Sequence, residues 1–478
     1  MVLTFLHLAI LGLSLVFIIF FHRRSKLSGF RLPPGNKGWP IIGETLEFAM
    51  NHRRGCPEKF VIDRMCKFSP EVFKTSLFGE KLVVFCGASG NKLLFSSHSK
   101  YVTSWWPPSM AKVWYFPENQ ENTVEVCNKM RSVLPEFLKP DALQDYIPVM
   151  DSMAKEQLET DWSPHKQVQV FSLSKKYTFA SACKVFMNLI DPEQLTRLSN
   201  PFTHIVAGLI SIPIKIPGTA FSRAVEGGRI VREELLAVIR QRKRELLENK
   251  GLKSIDLLTR LLLASFENGE TNDEKQIANK IIGLLVASHD TMSTALTCIL
   301  NYLAEYPQVY EDVLHEQVEI AKSKTPGELL NWDDVKKMKY SWCVACEAMR
   351  LSPPVPGTFR EAITDFTYAG FTIPKGWKTF WTTYSTNRNP DYFPDPEKFD
   401  PSRFEGRGPA PYSFVPFGGG PRMCPGKEYA RLATLVFMHN VVTKFKWRKV
   451  NPDEKIIYNP TPTPENGLLI HLEIINST

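Results

Sequence analysis

The stretch Phe417-Gly-Gly-Gly-Pro-Arg-Met-Cys-Pro-Gly426 decides the fold, because it sets one cysteine, Cys424, in a loop punctuated by glycine and proline. The run 427–443 that follows it predicts a helix. Three successive glycines carry no Cβ, so the loop backbone can approach a bulky, flat group. A cysteine thiolate near the start of a helix is stabilised by the helix dipole and is ready to ligate a metal. Arg422 can meet an anionic group above the loop. The alternative is a structural cysteine buried in a tight turn.

The pattern Phe-x-x-Gly-x-Arg-x-Cys-x-Gly resembles the haem-thiolate signature of the cytochrome P-450 superfamily, and each of its fixed positions matches. The resemblance implies that Cys424 is the axial ligand of the iron in haem b. It also implies that Phe417 and Arg422 belong to the cofactor-binding site. The expected fold class is the cytochrome P-450 fold, mainly α-helical with small β-sheets and an N-terminal membrane anchor helix.

The N-terminus carries an apolar run, residues 3–21, that is near the minimum length for a helix that crosses a bilayer. A cleaved signal peptide is the alternative, since its apolar region is also N-terminal. Basic residues follow the run and do not precede it, and no small-residue cleavage pattern is present. Because positive charge keeps a flank cytoplasmic, the sequence predicts a single-pass transmembrane anchor at residues 1–25 and a cytosolic body. The family resemblance places that body at the endoplasmic reticulum membrane.

A proline-rich segment, residues 26–44, follows the anchor. Its Leu32-Pro-Pro-Gly35 run predicts a stiff, extended joint and resembles the hinge of microsomal family members. The length of the remaining chain suggests two or three domains. Residues 45–478 nevertheless contain no linker-like stretch, low-complexity segment or internal repeat, so we expect one haem-thiolate catalytic domain.

Cysteine usage and charge limit the compartment and the partners. Nine scattered cysteines argue against a disulfide framework and indicate a reducing compartment. Cys343 and Cys346 have the spacing of a zinc or redox pair, but the segment has a helix-interior pattern and no second pair stands at finger spacing. The net charge of +8, without a dense basic tract, favours anionic lipid heads or an acidic partner and gives little support to nucleic acid.

The body has a helix-rich pattern with short strands. Residues 72–86 predict a hairpin around Gly79, and further strands are predicted at 366–368, 378–382 and 467–474. Long helices are predicted at 228–248 and 273–305. The segment 202–221 is rich in isoleucine around two prolines and suits core packing. By resemblance it is a lid that dips into the membrane and guards a substrate entrance.

The longest predicted helix opens on a capping-box pattern at residues 271–274, ends before Pro307 and changes character in its middle. An apolar run at 281–287 gives way to the polar run Ser288-His-Asp-Thr291. Buried polar groups are costly unless they are hydrogen-bonded or used, and the alternative is that they face solvent. The run resembles the oxygen-activation motif of the family, with Asp290 as the acid and Thr291 as the hydroxyl of a proton relay.

Two positions of this run depart from the family pattern. Ser288 replaces the usual glycine, and Met292 replaces the second hydroxyl residue. Ser288 could narrow the groove where oxygen sits or donate a hydrogen bond there. Neither change removes the pair of Asp290 and Thr291. His289 as an iron ligand is disfavoured, since a second protein ligand would block the oxygen site.

Glu347 and Arg350 stand at i and i+3 on one face of a predicted helix, a pairing that is common and weak on surfaces. Downstream, Phe399-Asp-Pro-Ser-Arg-Phe404 resembles the second half of the family's Glu-Arg-Arg lock. The resemblance implies that Arg403 joins Glu347 and Arg350 in a buried network that fixes the cysteine loop.

Two more arginines are assigned to the cofactor by resemblance. Arg360 follows a proline-rich run and takes the position of an arginine that binds a haem propionate. Arg131 resembles the arginine of a Trp/His-x-x-x-Arg element, although Cys127 stands where the aromatic residue or histidine belongs. Both arginines could equally be surface residues.

The resemblance covers nearly the whole chain. In its detailed sequence the chain is similar to plant triterpenoid oxidases and their relatives that act on taxanes. It implies a monooxygenase that takes electrons from NADPH-cytochrome P-450 reductase and inserts one atom of O2 into a C–H bond. Electron donation from the Cys424 thiolate favours O–O cleavage. Two alternatives remain: a haem-thiolate hydroperoxide isomerase or dehydratase, and a haem-binding membrane protein without turnover. The intact pair of Asp290 and Thr291 argues against both.

The expected substrate is a neutral triterpenoid or diterpenoid, which needs an apolar, roomy site with few polar anchors. By resemblance the walls come from residues 105–114, 209–216, 284–287, 355–359 and 460–462. A fatty acid would favour a cationic anchor, and Lys112 and Lys215 are the only charged residues in these segments. Each of them could point outward.

Overall fold

The computed structural model describes residues 29–115, 128, 131–132, 134–211, 213–248, 256–267, 274–459 and 461–475. The predicted anchor at residues 1–25, the capping box at 271–273 and Cys127 lie outside these ranges. The described residues confirm a mainly α-helical fold with small sheets.

The helices of the described residues, in chain order, are α1 Thr45–Arg53, α2 Glu58–Lys67, α3 Gly87–Ser96, α4 Pro108–Tyr115, α5 Leu134–Phe137, α6 Pro140–Gln157, α7 Val170–Met187, α8 Pro192–Gly208, α9 Ala220–Leu247, α10 Leu257–Glu267, α11 Glu274–Glu305, α12 Pro307–Lys322, α13 Trp332–Lys337, α14 Lys339–Leu351 and α15 Lys427–Lys444. The predicted helix at 427–443 is therefore confirmed, and the one at 228–248 begins eight residues earlier than expected.

The strands of the described residues are β1 Val72–Leu77, β2 Glu80–Phe85, β3 Val102–Ser104, β4 Gln167–Gln169, β5 Gly357–Ala362, β6 Phe366–Tyr368, β7 Phe371–Ile373, β8 Lys378–Thr382, β9 Phe445–Lys449, β10 Ile456–Tyr458, β11 Pro462–Pro464 and β12 Leu469–Ile474. The largest sheet has the order β1-β2-β8-β5-β3, in which only β2 and β8 pair in parallel. Smaller sheets are β4-β12-β9, β6-β7 and β10-β11.

The predicted hairpin at 72–86 is confirmed as β1 and β2, paired from Val72 with Phe85 to Leu77 with Glu80. Its two-residue turn is Phe78 and Gly79, with φ angles of 56° and 78°. Such a turn needs positive φ at both positions, which glycine adopts without strain and phenylalanine adopts rarely. The other predicted strands, at 366–368, 378–382 and 467–474, correspond to β6, β8 and β12.

Helix α11 runs through the middle of the fold, and its 32 residues span about 48 Å. Its first half packs in one apolar core with α7, α9 and α10, and its second half packs in another with α14 and α15. Among the described residues it is the one helix long and apolar enough to cross a membrane, yet most of its apolar window is buried inside the fold. A helix that is buried along most of its length is a core element, and it positions the polar residues that interrupt it.

The proline-rich segment is attached to the body where it is described. The carbonyl of Pro34 accepts a hydrogen bond from Lys74 N at 2.8 Å, and the carbonyl of Arg31 accepts one from Thr372 N at 2.8 Å. A Cβ on Gly35 would lie 2.0 Å from the Lys74 carbonyl oxygen. This glycine is therefore required by the close approach of the segment to β1.

The isoleucine-rich segment 202–221 divides between core and surface. Phe202 and Ile205 of α8 are buried in the core, whereas Ile210, Ile214 and Ile216 are 41%, 49% and 56% exposed. Core packing therefore describes the first half of the segment. The role of the exposed half as a lid stays a prediction.

The cysteine pattern agrees with the sequence expectation of free thiols. The eight cysteines of the described residues are all free. Cys343 and Cys346 lie in the buried face of α14, where burial raises the pKa of each thiol. The described residues contain no group of three or more His, Cys, Asp or Glu side chains that could hold a metal ion.

Candidate functional site

The glycines of the cysteine loop are required by a neighbour within the chain. A Cβ on Gly419 would lie 2.4 Å from the ring of Phe95, and a Cβ on Gly420 would lie 2.1 Å from the Phe95 carbonyl oxygen. Gly420 also has a φ of 65°. The flat group that the loop backbone approaches is therefore the Phe95 ring of α3. The sequence predicted the close approach and missed the partner.

Cys424 lies between the 3₁₀ turn Gly420–Arg422 and the start of α15. Its N–H donates to the Phe417 carbonyl at 2.8 Å, which closes the loop on itself. The cysteine is half-buried, so its side chain is partly accessible.

Burial raises the pKa of the Cys424 thiol above its usual value, and the Gly426 N–H and Arg131 lower it by less. The sequence expectation of a thiolate stabilised by the helix dipole stays a prediction, since burial has the larger effect on the pKa of the thiol. Desolvation disfavours the anion more than the helix terminus favours it. A bound metal cation reverses this balance, because a coordinating thiol is deprotonated outright.

Three arginines converge beside His98. Arg422 donates from Nε to His98 Nε2 at 2.9 Å and from Nη2 to Asn128 Oδ1 at 2.5 Å. Burial lowers the pKa of His98 to about 4, with further lowering from Arg422, Arg360 and Arg131 in that order. The three arginines lie in separate segments of the sequence, and the structure brings them together.

Arg131 and Arg360 occupy different parts of this cluster. Arg131 donates from Nη2 to the carbonyls of Arg422 and Met423, at 3.1 and 3.0 Å. These two bonds connect the cysteine loop to the helical segment that contains Arg131. Arg360 is buried on β5, where it donates to Thr358 Oγ1 at 2.9 Å and to the Phe359 carbonyl at 2.7 Å. Arg360 is therefore not a surface residue, whereas Arg131 is partly exposed.

The cluster fits a ligand that carries two carboxylates. Its guanidinium groups come from Arg131, Arg360 and Arg422, and His98 Nδ1 is buried without a hydrogen-bond partner among the described residues. Such an atom is expected to have a partner in the functional protein. Haem b carries two propionates, and arginine is the side chain best suited to carboxylates. The donors beside the Cys424 loop therefore match that cofactor.

The polar run of α11 is divided among different environments. His289 is buried between the rings of Phe179 and Phe202, at centroid distances of 5.7 and 5.4 Å. Burial lowers its pKa to about 3, with a smaller effect of Lys175. Ser288 donates to the carbonyls of Leu284 and Leu285 in its own helix. The alternative that all four residues face solvent is wrong.

Asp290 and Thr291 are half-buried on α11. Asp290 Oδ1 lies 3.6 Å from Lys175 Nζ, and its Oδ2 accepts a hydrogen bond from Thr461 Oγ1 at 3.4 Å. Thr291 Oγ1 donates to the Ala287 carbonyl at 2.8 Å. Ala287 is exposed in the middle of an otherwise buried helix, which marks an open space against this face of α11. Thr291 lies one turn along from that space.

The two departures from the expected motif have local explanations. Met292 is buried in the apolar core that α11 shares with α7 and α9. An apolar side chain that packs in the core therefore stands where the motif has a hydroxyl residue. The Ser288 hydroxyl is hydrogen-bonded within its helix, as serine in a helix interior commonly is.

The three residues of the predicted lock lie together in the structure. Glu347 and Arg350 are fully buried and form a bidentate ion pair, with N–O distances of 2.6 and 2.7 Å. Arg403 Nε lies 3.5 Å from Glu347 Oε1, and Asp400 N donates to the same oxygen at 2.8 Å. Arg350 also donates to the carbonyls of Asn387, Pro396 and Lys398.

The lock reaches the cysteine loop through an aromatic contact. Phe404, the residue after Arg403, packs its ring 4.6 Å from the ring of Phe414. Phe414 stands three residues before Phe417, where the loop begins. The network thereby positions the chain that leads into the loop, while α15, on the other side of Cys424, packs against α11 and α14.

Thr461 lies in the predicted wall segment 460–462, but its contact with Asp290 was not predicted. Three further functional candidates carried no signal in the sequence: Phe95, His98 and Lys175. Each is a single residue far along the chain from the group that it contacts, and none belongs to a motif. His98 and Arg422, for example, are separated by 324 residues.

The chain matches the sequence model described as "Cytochrome P450" over residues 33–471. It is 54% identical over 462 residues to a beta-amyrin 28-monooxygenase of Saponaria officinalis, with 96% of this chain and 95% of that protein covered. It is 55% identical to a beta-amyrin 28-monooxygenase of Kalopanax septemlobus, with 96% of each chain covered. It is 54% identical to a beta-amyrin 6-beta-monooxygenase of Solanum lycopersicum, with 98% of each chain covered.

Among solved structures, the retinoic acid-bound cyanobacterial CYP120A1 superposes with a TM-score of 0.82 at 31% identity, covering 94% of this chain and 100% of that one. The chain therefore belongs to the cytochrome P-450 family of monooxygenases, whose cofactor is haem b.

Proposed function

We propose that the protein is a haem-thiolate monooxygenase that inserts one oxygen atom of O2 into a C–H bond of a triterpenoid. Its electrons come from an NADPH-cytochrome P-450 reductase. The observation that carries the proposal is the convergence of Arg131, Arg360 and Arg422 on His98, directly beside the half-buried thiol of Cys424. The relatives named as beta-amyrin monooxygenases support a triterpenoid as the substrate class.

In this proposal Cys424 ligates the iron of haem b, and the arginine cluster with His98 binds the propionates. Bound haem b supplies the redox chemistry that activates O2. Burial raises the pKa of the free Cys424 thiol, and ligation to the iron would favour the thiolate against this effect. Glu347, Arg350 and Arg403 hold the chain around the loop, so that the sulfur keeps one position.

Asp290 and Thr291 deliver protons to the oxygen-binding space beside Ala287. Asp290 contacts Lys175, whose side chain is 34% exposed, so the carboxylate has a route to solvent. Thr291 has a hydroxyl whose own proton is donated to the Ala287 carbonyl, which leaves its lone pairs available to accept a hydrogen bond from a water or a reacting group. A carboxylate beside a hydroxyl is thus able to relay protons inward.

The described wall segments suit a neutral polycyclic substrate. Trp105 packs edge-on against Phe359 at 5.7 Å, and Phe359 packs on Phe380 at 4.8 Å. Lys112 and Lys215, the only charged residues of the predicted walls, are both exposed. A third cation, Lys378, lies 5.0 Å from the Trp105 ring centroid and is paired with Glu361 at 2.8 Å. A fatty-acid carboxylate would therefore have to compete with Glu361 for its anchor.

The proposal includes attachment to the endoplasmic reticulum membrane by residues 1–25, with the body in the cytosol. Two groups of exposed, large apolar side chains support contact between the body and lipid. One is Trp39, Ile41 and Ile42, which follows the anchor closely in the chain, and the other is the exposed half of the segment 202–221. Deletion of residues 1–25 is expected to weaken membrane association in a flotation assay and to leave haem binding intact.

The test combines a spectrum with turnover. The reduced protein with carbon monoxide is expected to show the red-shifted Soret band of thiolate ligation, and Cys424→His is expected to lose it. Cys56→Ser is the matched control, because Cys56 is also a half-buried free thiol. With reductase and NADPH, beta-amyrin is expected to give a hydroxylated product. An imidazole-type spectrum of the wild type, or turnover of fatty acids with no spectral response to any triterpenoid, would overturn the proposal.

A further inference from the structure

The hairpin of β10 and β11 contacts Asp290, although it lies outside the motif that contains Asp290 and Thr291. The hairpin pairs Ile456 with Pro464 and Tyr458 with Pro462, and Thr461 lies in its turn. Thr461 Oγ1 donates to Asp290 Oδ2 at 3.4 Å. Thr461 also belongs to the predicted substrate wall at 460–462. One hydroxyl therefore joins the wall of the pocket to the acid of the relay.

The carboxylate of Asp290 is held between two elements. Its Oδ1 faces Lys175 of α7 at 3.6 Å, and its Oδ2 faces Thr461 of the hairpin at 3.4 Å. Both contacts are at the long end of their range, so each one alone is weak. The Lys175 ammonium also lies 4.3 Å from the Phe171 ring centroid, which gives it a second partner. Without Thr461 the carboxylate would be oriented from one side only.

The base of the hairpin is fixed, whereas its turn is not enclosed. Tyr458, Pro462 and Pro464 are buried, and the Tyr458 ring packs against those of His52 and Tyr384. Thr461 in the turn is half-buried. Its carbonyl accepts from Asn459 N at 3.2 Å and from Thr463 Oγ1 at 3.1 Å. These two bonds hold the turn in shape and leave its hydroxyl for Asp290.

We propose that Thr461 is a positioning residue that orients the Asp290 carboxylate and makes proton delivery depend on the wall of the substrate pocket. A substrate that packs against the turn holds Thr461 on Asp290, so the relay is aligned when the pocket is filled. The inference rests on the proposed function and adds to it a residue outside the relay motif. Thr461 acts through Asp290 and has no proton-transfer role of its own.

The experiment compares three variants of the full-length holoenzyme with reductase, NADPH and beta-amyrin. The coupling, defined as product formed per NADPH consumed, is measured together with released hydrogen peroxide. Thr461→Val is expected to lower the coupling about two- to tenfold, the range that one net hydrogen bond covers. Thr461→Ser keeps the hydroxyl and is expected to restore most of it. Thr372→Val removes the hydroxyl of a half-buried threonine in the separate hairpin of β6 and β7, and it is expected to match the wild type.

A second readout does not depend on turnover. Asp290→Ala is expected to speed amide hydrogen exchange at Asn459, Thr461 and Thr463, because the turn loses its acceptor on α11. Unchanged coupling in Thr461→Val, or an equal loss in Thr372→Val, would overturn the inference. So would an unaltered exchange rate of the turn in Asp290→Ala. If the wild type fails to oxidise beta-amyrin, the proposed function fails, and the exchange rates still decide whether the hairpin is held by Asp290.

Discussion

Two carboxylates of this molecule sit on helices and face cations, and they are held in opposite ways. Glu347 is fully buried and takes two short bonds from Arg350, a third from Asp400 N and an ion contact from Arg403. Asp290 is 14% exposed and has one ion contact at 3.6 Å and one hydrogen bond at 3.4 Å.

Glu347, Arg350 and Arg403 form a rigid support, here called the frame. Asp290 is the proposed acid of the proton relay, here called the working part. A buried charge with several short bonds is costly to disturb, because removal of one partner leaves the others desolvated and unpaired. A partly exposed carboxylate with two long contacts can change partners at a lower cost. The same residue chemistry thus fixes the cysteine loop on one side of the candidate site and leaves a movable acid on the other.

The largest expected effect comes from breaking the frame. Glu347→Gln removes the charge that pairs with Arg350 and Arg403, and leaves two buried guanidinium groups without an anion. We expect a destabilisation of about 3–5 kcal/mol and failure to incorporate haem. The measurement is the ratio of haem absorbance to protein absorbance after expression.

The matched control is Glu226→Gln, because Glu226 and Arg229 form an ion pair of the same i, i+3 spacing on the exposed face of α9. Its haem content is expected to equal that of the wild type, since exposed pairs of this kind contribute little. Equal haem content in Glu347→Gln and Glu226→Gln would show that burial of the lock has no consequence. The contrast drawn between Glu347 and Asp290 would then be wrong for Glu347.

The next effect concerns the movable acid. Asp290→Asn keeps the shape and removes the proton-accepting charge, so we expect normal haem content with coupling of NADPH to product lowered by about a hundredfold. Thr291→Ala is expected to lower it less, and both variants should release hydrogen peroxide instead. Product formation at the wild-type ratio in Asp290→Asn would mean that protons arrive by another route. Loss of haem in that variant would place Asp290 with the frame.

The sequence predicted the frame better than the working part, for a physical reason. Glu347 and Arg350 are neighbours on one helix turn, so their contact follows from spacing, and the Arg403 segment carries a motif of its own. Lys175 and Thr461 approach Asp290 only because α7 and a C-terminal hairpin pack on α11. Such contacts between distant single residues leave no periodic signal.

The same limit explains the cysteine loop. Its glycines predicted a close approach, but the identity of Phe95 depends on the packing of α3. The charge state of Cys424 was predicted from the helix terminus alone, whereas burial has the larger effect on its pKa. His98 could not be found, because a lone histidine in a loop has no pattern that separates it from a surface residue.

His289, which is buried next to Asp290 on α11, is expected to make the fold sensitive to acid. Its pKa is about 3 in the folded protein and about 6.5 when unfolded, so its contribution to stability is complete above pH 6.5 and is lost as the pH falls toward 3. At pH 5 the expected loss is about 2 kcal/mol. The apparent melting temperature of the wild type should therefore fall further between pH 7 and pH 5 than that of His289→Leu. Equal falls would mean that His289 is not buried in its neutral form.

The smallest effect is expected at Ser288, and it tests which face of α11 does the chemistry. Ser288 and Thr291 both donate a hydroxyl proton to the carbonyl four residues back, so Ser288→Ala and Thr291→Ala delete the same kind of bond. They differ in that Thr291 lies one turn from the exposed Ala287. We expect Ser288→Ala to keep wild-type coupling and to be slightly more stable, since alanine is the better helix former by about 0.5 kcal/mol. Coupling and apparent melting temperature of the two variants are the measurements. A loss of coupling in Ser288→Ala as large as in Thr291→Ala would extend the relay to a second hydroxyl and would move its boundary by one helical turn.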